Sequence, residues 1–138
     1  MNVKSVYEIN FNNNGDDRGF LTSIEQNHDI PIKIKRIFYM HHVTQNRGGH
    51  AHIDTDQVII PISGSFKVKV FDGEKEDLYL LNDRTKGIYT PRLTFCDLYD
   101  FSPDAVCLVL ANTHYNMKMS LRTKEEFINY IKRENNEK

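Results

Sequence analysis

The chain has 138 residues, enough for one hydrophobic core and too few for two, so a single domain spanning 1–138 is expected. Charged residues make up 27% and sum to a formal net charge of -1, which excludes a global field for nucleic acid or an anionic membrane; any anion must be held by local arginines. Cys96 and Cys107 lack CxxC spacing, and the opening MNVKSVYEINF has no apolar run long enough for a signal peptide or a membrane span, so a reducing cytoplasm is the expected location.

In chain order the pattern is one of short strands with turn punctuation. Val3 to Phe11 carries Val3, Val6, Ile9 and Phe11 among polar residues, and the cluster Asn12-Asn13-Asn14-Gly15-Asp16-Asp17 reads as its turn. Arg18 to Ile24 is a second strand. Ile32 to Met40 opens with alternation and becomes apolar on both faces, and Tyr39 on it is placed to present a hydroxyl inward. Gln57 to Ile62 is β-branched, with Pro61 marking an edge or a bulge. Phe66 to Phe71 alternates into Asp72-Gly73, a favoured hairpin pair, and Leu78 and Leu80 resume the alternation. Gly87 to Pro91, Phe95 to Phe101 and the unbroken apolar run Ala105 to Ala111 complete the strands, a spacing that indicates an antiparallel sandwich or barrel. Thr123-Lys124-Glu125-Glu126 has capping-box spacing, and Phe127, Tyr130 and Ile131 form one helical stripe; a terminal helix is expected to fray from Glu134 onward.

The chemistry concentrates in Arg47-Gly48-Gly49-His50-Ala51-His52. Alternation puts His50 and His52 on one side of a strand, about 6.5 Å apart along the backbone. Two glycines let the preceding loop pass close to a ligand, and Arg47 adds a charge that does not titrate, a combination suited to an anionic substrate from which a proton must be moved. His28, His114 and the adjacent His41-His42 pair read as solvated, and Cys107 as core filler. Among the other arginines Arg36 interrupts an apolar strand and so points somewhere useful, while Arg18 and Arg122 have the simpler reading of exposed charges. A metal would need three or four ligands, but the carboxylate position holds Gln57 and no further histidine follows near Phe95-Cys96-Asp97, so no metal is expected; Asp54 and Asp56 read as a solvated turn.

His50-x-His52, followed by Gln57 and Gly64, resembles the first cupin motif with its metal-binding glutamate replaced by glutamine. The longer set RGGHAH, Gln57, SGSFKVKVFDG, GIYTP, DFSPDAVCLVLA and Tyr115 looks like the sugar-nucleotide 3,4-ketoisomerases related to the C-terminal WxcM domain, over roughly Arg18 to Phe127. The resemblance implies an all-β cupin jelly roll with a C-terminal helix, without metal or cofactor and usually homodimeric, that moves a ketone from C4 to C3 of a dTDP-linked 4-keto-6-deoxyhexose. It implies His50 as the base at C3 and His52 as its partner in shuttling protons or polarising the enediol oxygens. Arg47, with Arg18 and Arg36, would hold the pyrophosphate, Gln57 and Tyr39 would bond the hexose, and Tyr89 would line the pocket or fill the core. Two departures bear on specificity: Phe95 stands where many relatives carry tryptophan, and Met119-Ser120-Leu121-Arg122 where they often carry Asp-Tyr-Ile-Arg, a segment the resemblance puts beside the nucleotide or the dimer partner and in which the binding arginine, Arg122, is retained. An enzyme acting on another nucleotide sugar and a non-catalytic cupin are the competing classes. Dimerisation is further expected because Val3 to Ile24 would otherwise leave an exposed edge.

Overall fold

Apolar and polar residues alternate along most of the chain, and the computed structural model, which describes residues 5–136, turns those stretches into two facing antiparallel sheets. The strands are β1 (Tyr7–Asn10), β2 (Asn13–Asp16), β3 (Gly19–Thr22), β4 (Arg36–His41), β5 (Arg47–His52), β6 (Gln57–Ser63), β7 (Phe66–Phe71), β8 (Glu76–Leu81), β9 (Lys86–Thr90), β10 (Phe95–Tyr99), β11 (Val106–Ala111) and β12 (Ser120–Leu121), followed by one helix, α1 (Lys124–Asn136). One sheet runs β1-β9-β6-β11-β4, the other β12-β5-β10-β7-β8, while β2 and β3, among the described residues, pair only with each other. The all-β expectation with a single C-terminal helix is met. The start of the first expected strand, at Val3, lies outside the described residues.

Three apolar clusters hold the layers. Val68, Val70, Ile88, Cys107 and Val109 pack between the sheets with Phe66, whose burial alone contributes about 2 kcal/mol. Behind the first sheet, Val58, Ile60 and Leu110 are covered by Ile30 and Ile32. Behind the second, Ala51, Phe95 and Leu121 are covered by Phe127 of α1, with Tyr130 and Ile131 beside it. The apolar runs of β6 and β11 thus have an apolar layer on each face, which is why they do not alternate.

Several local details differ from the sequence pattern. Asn13–Asp16 is a strand rather than a turn, because its backbone pairs with Gly19–Thr22 and the Thr22 hydroxyl donates to Asn13 Oδ1 at 2.8 Å. The third expected strand begins only at Arg36; Ile32 and Ile34 are spent covering the first sheet. Pro61 meets the second of its two expectations, the bulge rather than the edge: on a central strand, Val106 faces Ser63 and Cys107 faces Pro61, so Ile62 is skipped. Helix α1 runs as regular helix through Glu134 to Asn136; at its start the Glu126 amide donates to Thr123 Oγ1 at 3.0 Å.

Candidate active site

The open space between the sheets is a cavity of about 680 Å³, within the usual range for a small-molecule site. Its walls come from β4 (Arg36, Phe38, Met40), β6 (Gln57, Ile59), β5 (Arg47, His50, His52), β10 (Cys96, Leu98) and β12 (Ser120), closed by Tyr115, Asn116 and Arg122. On β6 and β10 the residues that reach it alternate, as the pleat requires, and so do His50 and His52 on β5; Arg47 joins them at the mouth from the other side of the glycine pair.

Strand β5 is shaped for this by its glycines. Gly48 and Gly49 have φ of +84° and +70°, and a Cβ on Gly48 would come within 2.8 Å of the Cys96 carbonyl oxygen. The register opposite them slips, with Cys96 facing His50 and Asp97 facing Gly48, and this bulge turns the following histidines into the cavity. The imidazoles of His50 and His52 lie edge to face, ring centres 4.9 Å apart.

His52 is held on both nitrogens. The Gln57 amide nitrogen, which can only donate, lies 3.2 Å from His52 Nε2, so Nε2 is the acceptor and the ring proton belongs on Nδ1. Nδ1–H then faces the Ser120 hydroxyl oxygen, the acceptor, at 3.4 Å. Burial, then the charge of His50 and that of Arg36, push the His52 pKa down to about 4, with Asp54 opposing and Arg122 adding to the fall. His52 is therefore a neutral imidazole of fixed tautomer at neutral pH, and His50 is the one of the pair with no hydrogen bond to a neighbouring side chain among the described residues.

Arg36, Arg47, Arg122, Gln57, His50 and His52, named from sequence, all reach this one cavity. No aspartate or glutamate lines it among the described residues, so three guanidinium groups act there without an opposing carboxylate. Two other residues named from sequence stand outside this cavity of the single chain. Tyr39 projects from the opposite face of β4, 63% exposed and beside His41, because it is an odd number of residues from Arg36. Arg18 lies on the β2–β3 arm, where its guanidinium is bound to Asp16 at 2.6 Å and does not reach the cavity. Tyr89 packs against Tyr7 and the cluster behind the first sheet. Phe95 is no wall of the site; it packs on Phe127, ring centres 5.9 Å apart. Asp56 is not a solvated turn residue but accepts from Arg92 and Asn112. Sequence reasoning did not name Cys96 as a lining group; it named Tyr115 only within the motif set and Ser120 only within the departing segment Met119 to Arg122, and Ser120's place opposite His52 comes from cross-strand pairing.

Among the described residues no three histidine, cysteine, aspartate or glutamate side chains gather as a ligand set, and an amide faces His52 where a carboxylate ligand would stand. The thiol of Cys96, pushed up to about 12 by burial first and the charge of Asp97 second, is a protonated, inert wall.

Comparison with known proteins gives concordant matches. The family model described as WxcM-like, C-terminal (FdtA) matches residues 3–132. The TDP-4-oxo-6-deoxy-alpha-D-glucose-3,4-oxoisomerase of Aneurinibacillus thermoaerophilus is 36% identical over 132 residues, 94% of this chain and 95% of that protein. The crystal structure of the 3,4-ketoisomerase QdtA from Thermoanaerobacterium thermosaccharolyticum in complex with TDP superposes with a TM-score of 0.91 at 34% identity, over 96% of this chain and 98% of that one. A histidine-to-asparagine mutant of QdtA in complex with TDP-4-keto-6-deoxyglucose gives 0.90 at 33% identity, over 95% and 96%.

Proposed function

The chain belongs to the FdtA family of WxcM-like C-terminal domains, and from that premise we propose that it isomerises dTDP-4-keto-6-deoxyglucose to a dTDP-3-keto-6-deoxyhexose. The observation that carries this reading is a cavity holding two adjacent imidazoles and three arginines with no carboxylate among the described lining residues. Such a cavity takes a dianionic diphosphate and moves a proton on the sugar attached to it.

The division of labour follows from the hydrogen bonds. A ketone at C4 acidifies the C3 proton. His50, unencumbered, takes it; His52, neutral and locked by Gln57 and Ser120, holds its Nε2 side of the cavity in place without competing for that proton. The proton held by His50 is delivered to C4 of the enediolate while the C3 hydroxyl proton passes to the C4 oxygen, so the ketone is left at C3 and no net proton is gained or lost. Arg47 and Arg122, exposed at the rim, bind the diphosphate. The chemistry asks for no metal or cofactor, and a cytoplasmic place for the enzyme follows from its nucleotide-sugar substrate.

The protein is proposed to act as a homodimer. The β2–β3 arm pairs with no other strand and leaves Phe20 80% and Leu21 62% exposed, while β4 is a sheet edge whose outer face shows Ile37 and Tyr39. A second copy covering both would give the arm, Arg18 and Tyr39 a use that one copy alone does not.

The test is a proton NMR time course with dTDP-4-keto-6-deoxyglucose in deuterated water. Exchange at C3 and a 3-keto product are expected, with a loss of several orders of magnitude in His50→Asn. Tight dTDP binding without exchange in the parent protein would refute the assignment.

A further inference from the structure

Three guanidinium groups reach one cavity, and they do not sit alike. Arg47 and Arg122 are exposed, whereas Arg36 is half-buried at the start of β4. Its Nε and Nη1 are buried without a hydrogen-bond partner, the only side-chain polar atoms in that condition among the described residues. The guanidinium carbon lies 5.5 Å from the centre of the Phe38 ring and 5.4 Å from that of Tyr115, so two aromatic rings flank the group. A buried charge with unmade hydrogen bonds is costly to the fold, and here it is aimed at the space where substrate would enter.

The reaction needs such donors at one place. When the base takes the C3 proton, the C3–H electron pair becomes the C3=C4 bond and the carbonyl pair moves onto the C4 oxygen, which becomes negative; the proton stays on the imidazole. An imidazole is too weak a base to drive this alone, so fixed donors must meet the oxygen as its charge grows. The neutral donors nearby are weaker and partly engaged. One N–H of the Gln57 amide donates to His52 and the Thr55 hydroxyl donates to Asp54, while the Ser120 hydroxyl, which accepts from His52 Nδ1–H, has only its own hydrogen to offer; none of them carries a positive charge.

We infer that Arg36 is the electrophile of this reaction, its buried Nε–H and Nη1–H groups holding the oxygen that carries the enediolate charge. The diphosphate is left to Arg47 and Arg122, a different use of Arg36 from the pyrophosphate contact expected from sequence. The inference rests on the ketoisomerase reading above.

The experiment compares Arg36→Met and Arg47→Met with the parent: turnover and KM on dTDP-4-keto-6-deoxyglucose, C3 exchange in deuterated water, the dissociation constant for dTDP, and thermal midpoint. Arg36→Met is expected to lose about 10²–10³ in kcat and in C3 exchange, as for removal of an oxyanion donor. Its dTDP affinity should be unchanged and its midpoint no lower, since an unpaired buried charge has been removed. Arg47→Met should weaken dTDP binding instead. Weakened dTDP binding with turnover intact in Arg36→Met would make Arg36 a diphosphate ligand, and a lowered midpoint with proportionate activity would make it structural; either overturns the inference. Absence of C3 exchange in the parent would instead remove the ketoisomerase reading on which it rests.

Discussion

Replacing Gln57 with glutamate tests the tautomer lock directly, because it changes one neutral donor into a charged acceptor at the same reach. The carboxylate would stand near 3.2 Å from His52 Nε2, where the amide now donates. Unit charges about 4 Å apart in an environment of effective dielectric near 20 attract by roughly 4 kcal/mol, part of which is offset by burying the carboxylate. An opposite charge at this range ordinarily moves a pKa by about 1–3 units. His52, now near 4, should therefore titrate between roughly 5 and 7, the proton it gains sitting on Nε2 against the carboxylate while Nδ1 keeps its own. A charged His52 beside His50, ring centres 4.9 Å apart, opposes protonation of the neighbouring ring and so weakens it as a base. Turnover in Gln57→Glu should fall by at least about tenfold at pH 6 and recover as pH rises past the new His52 pKa. The assay is a 15N-edited titration of the imidazoles alongside the pH–rate profile, with chelator throughout because His50, His52 and a carboxylate at 57 would make a three-ligand set. His52 still titrating near 4, or a profile identical to that of the parent, would refute the argument.

The depressed His52 pKa also predicts how stability depends on pH. The unfolded chain binds more protons than the fold between about 6.5 and about 4, so this contribution is complete above that window and is lost as pH falls through it. It amounts to roughly 3 kcal/mol; urea midpoints from pH 7.5 to pH 4 should fall less steeply in His52→Gln, and equal slopes would contradict it. The proposed dimer gives a further expectation: Phe20→Ser with Leu21→Ser removes side chains worth about 1.5–3 kcal/mol each on burial, counted twice across a two-fold interface. Sedimentation should show a dimer for the parent and a monomer for the double variant, and a monomeric parent would end that proposal.

What the sequence made legible depended on whether the signal was local. The strands with clean alternation, such as Phe66 to Phe71, and the helix announced by Thr123 and Glu126, could be read from spacing alone. The pairing of His50 with His52 also needed only the pleat. Asn13–Asp16 could not be recognised as a strand, since its turn-prone residues are held extended by the partner strand rather than by preference. Parity already forbade Arg36 and Tyr39 from entering the same cavity along one strand; which of them entered depended on which face of β4 met the other sheet. The segment holding Ser120 stood out, but its contact with His52 could not be read, because that is set by register between segments 68 residues apart.

Between the two imidazoles stands Ala51, without exposed surface, its methyl turned away from the cavity and against the cluster built on Phe127. The histidine strand is thus backed like a beam: the cavity on one side, the helix as its rear support on the other. Loss of α1, or a bulkier residue at 51, would displace both rings together while leaving every reacting group chemically intact. Since misplacement by about 1 Å can cost on the order of a hundredfold in rate, the tail of the chain is part of the instrument's alignment, and trimming it ahead of Phe127 amounts to an active-site lesion at a distance.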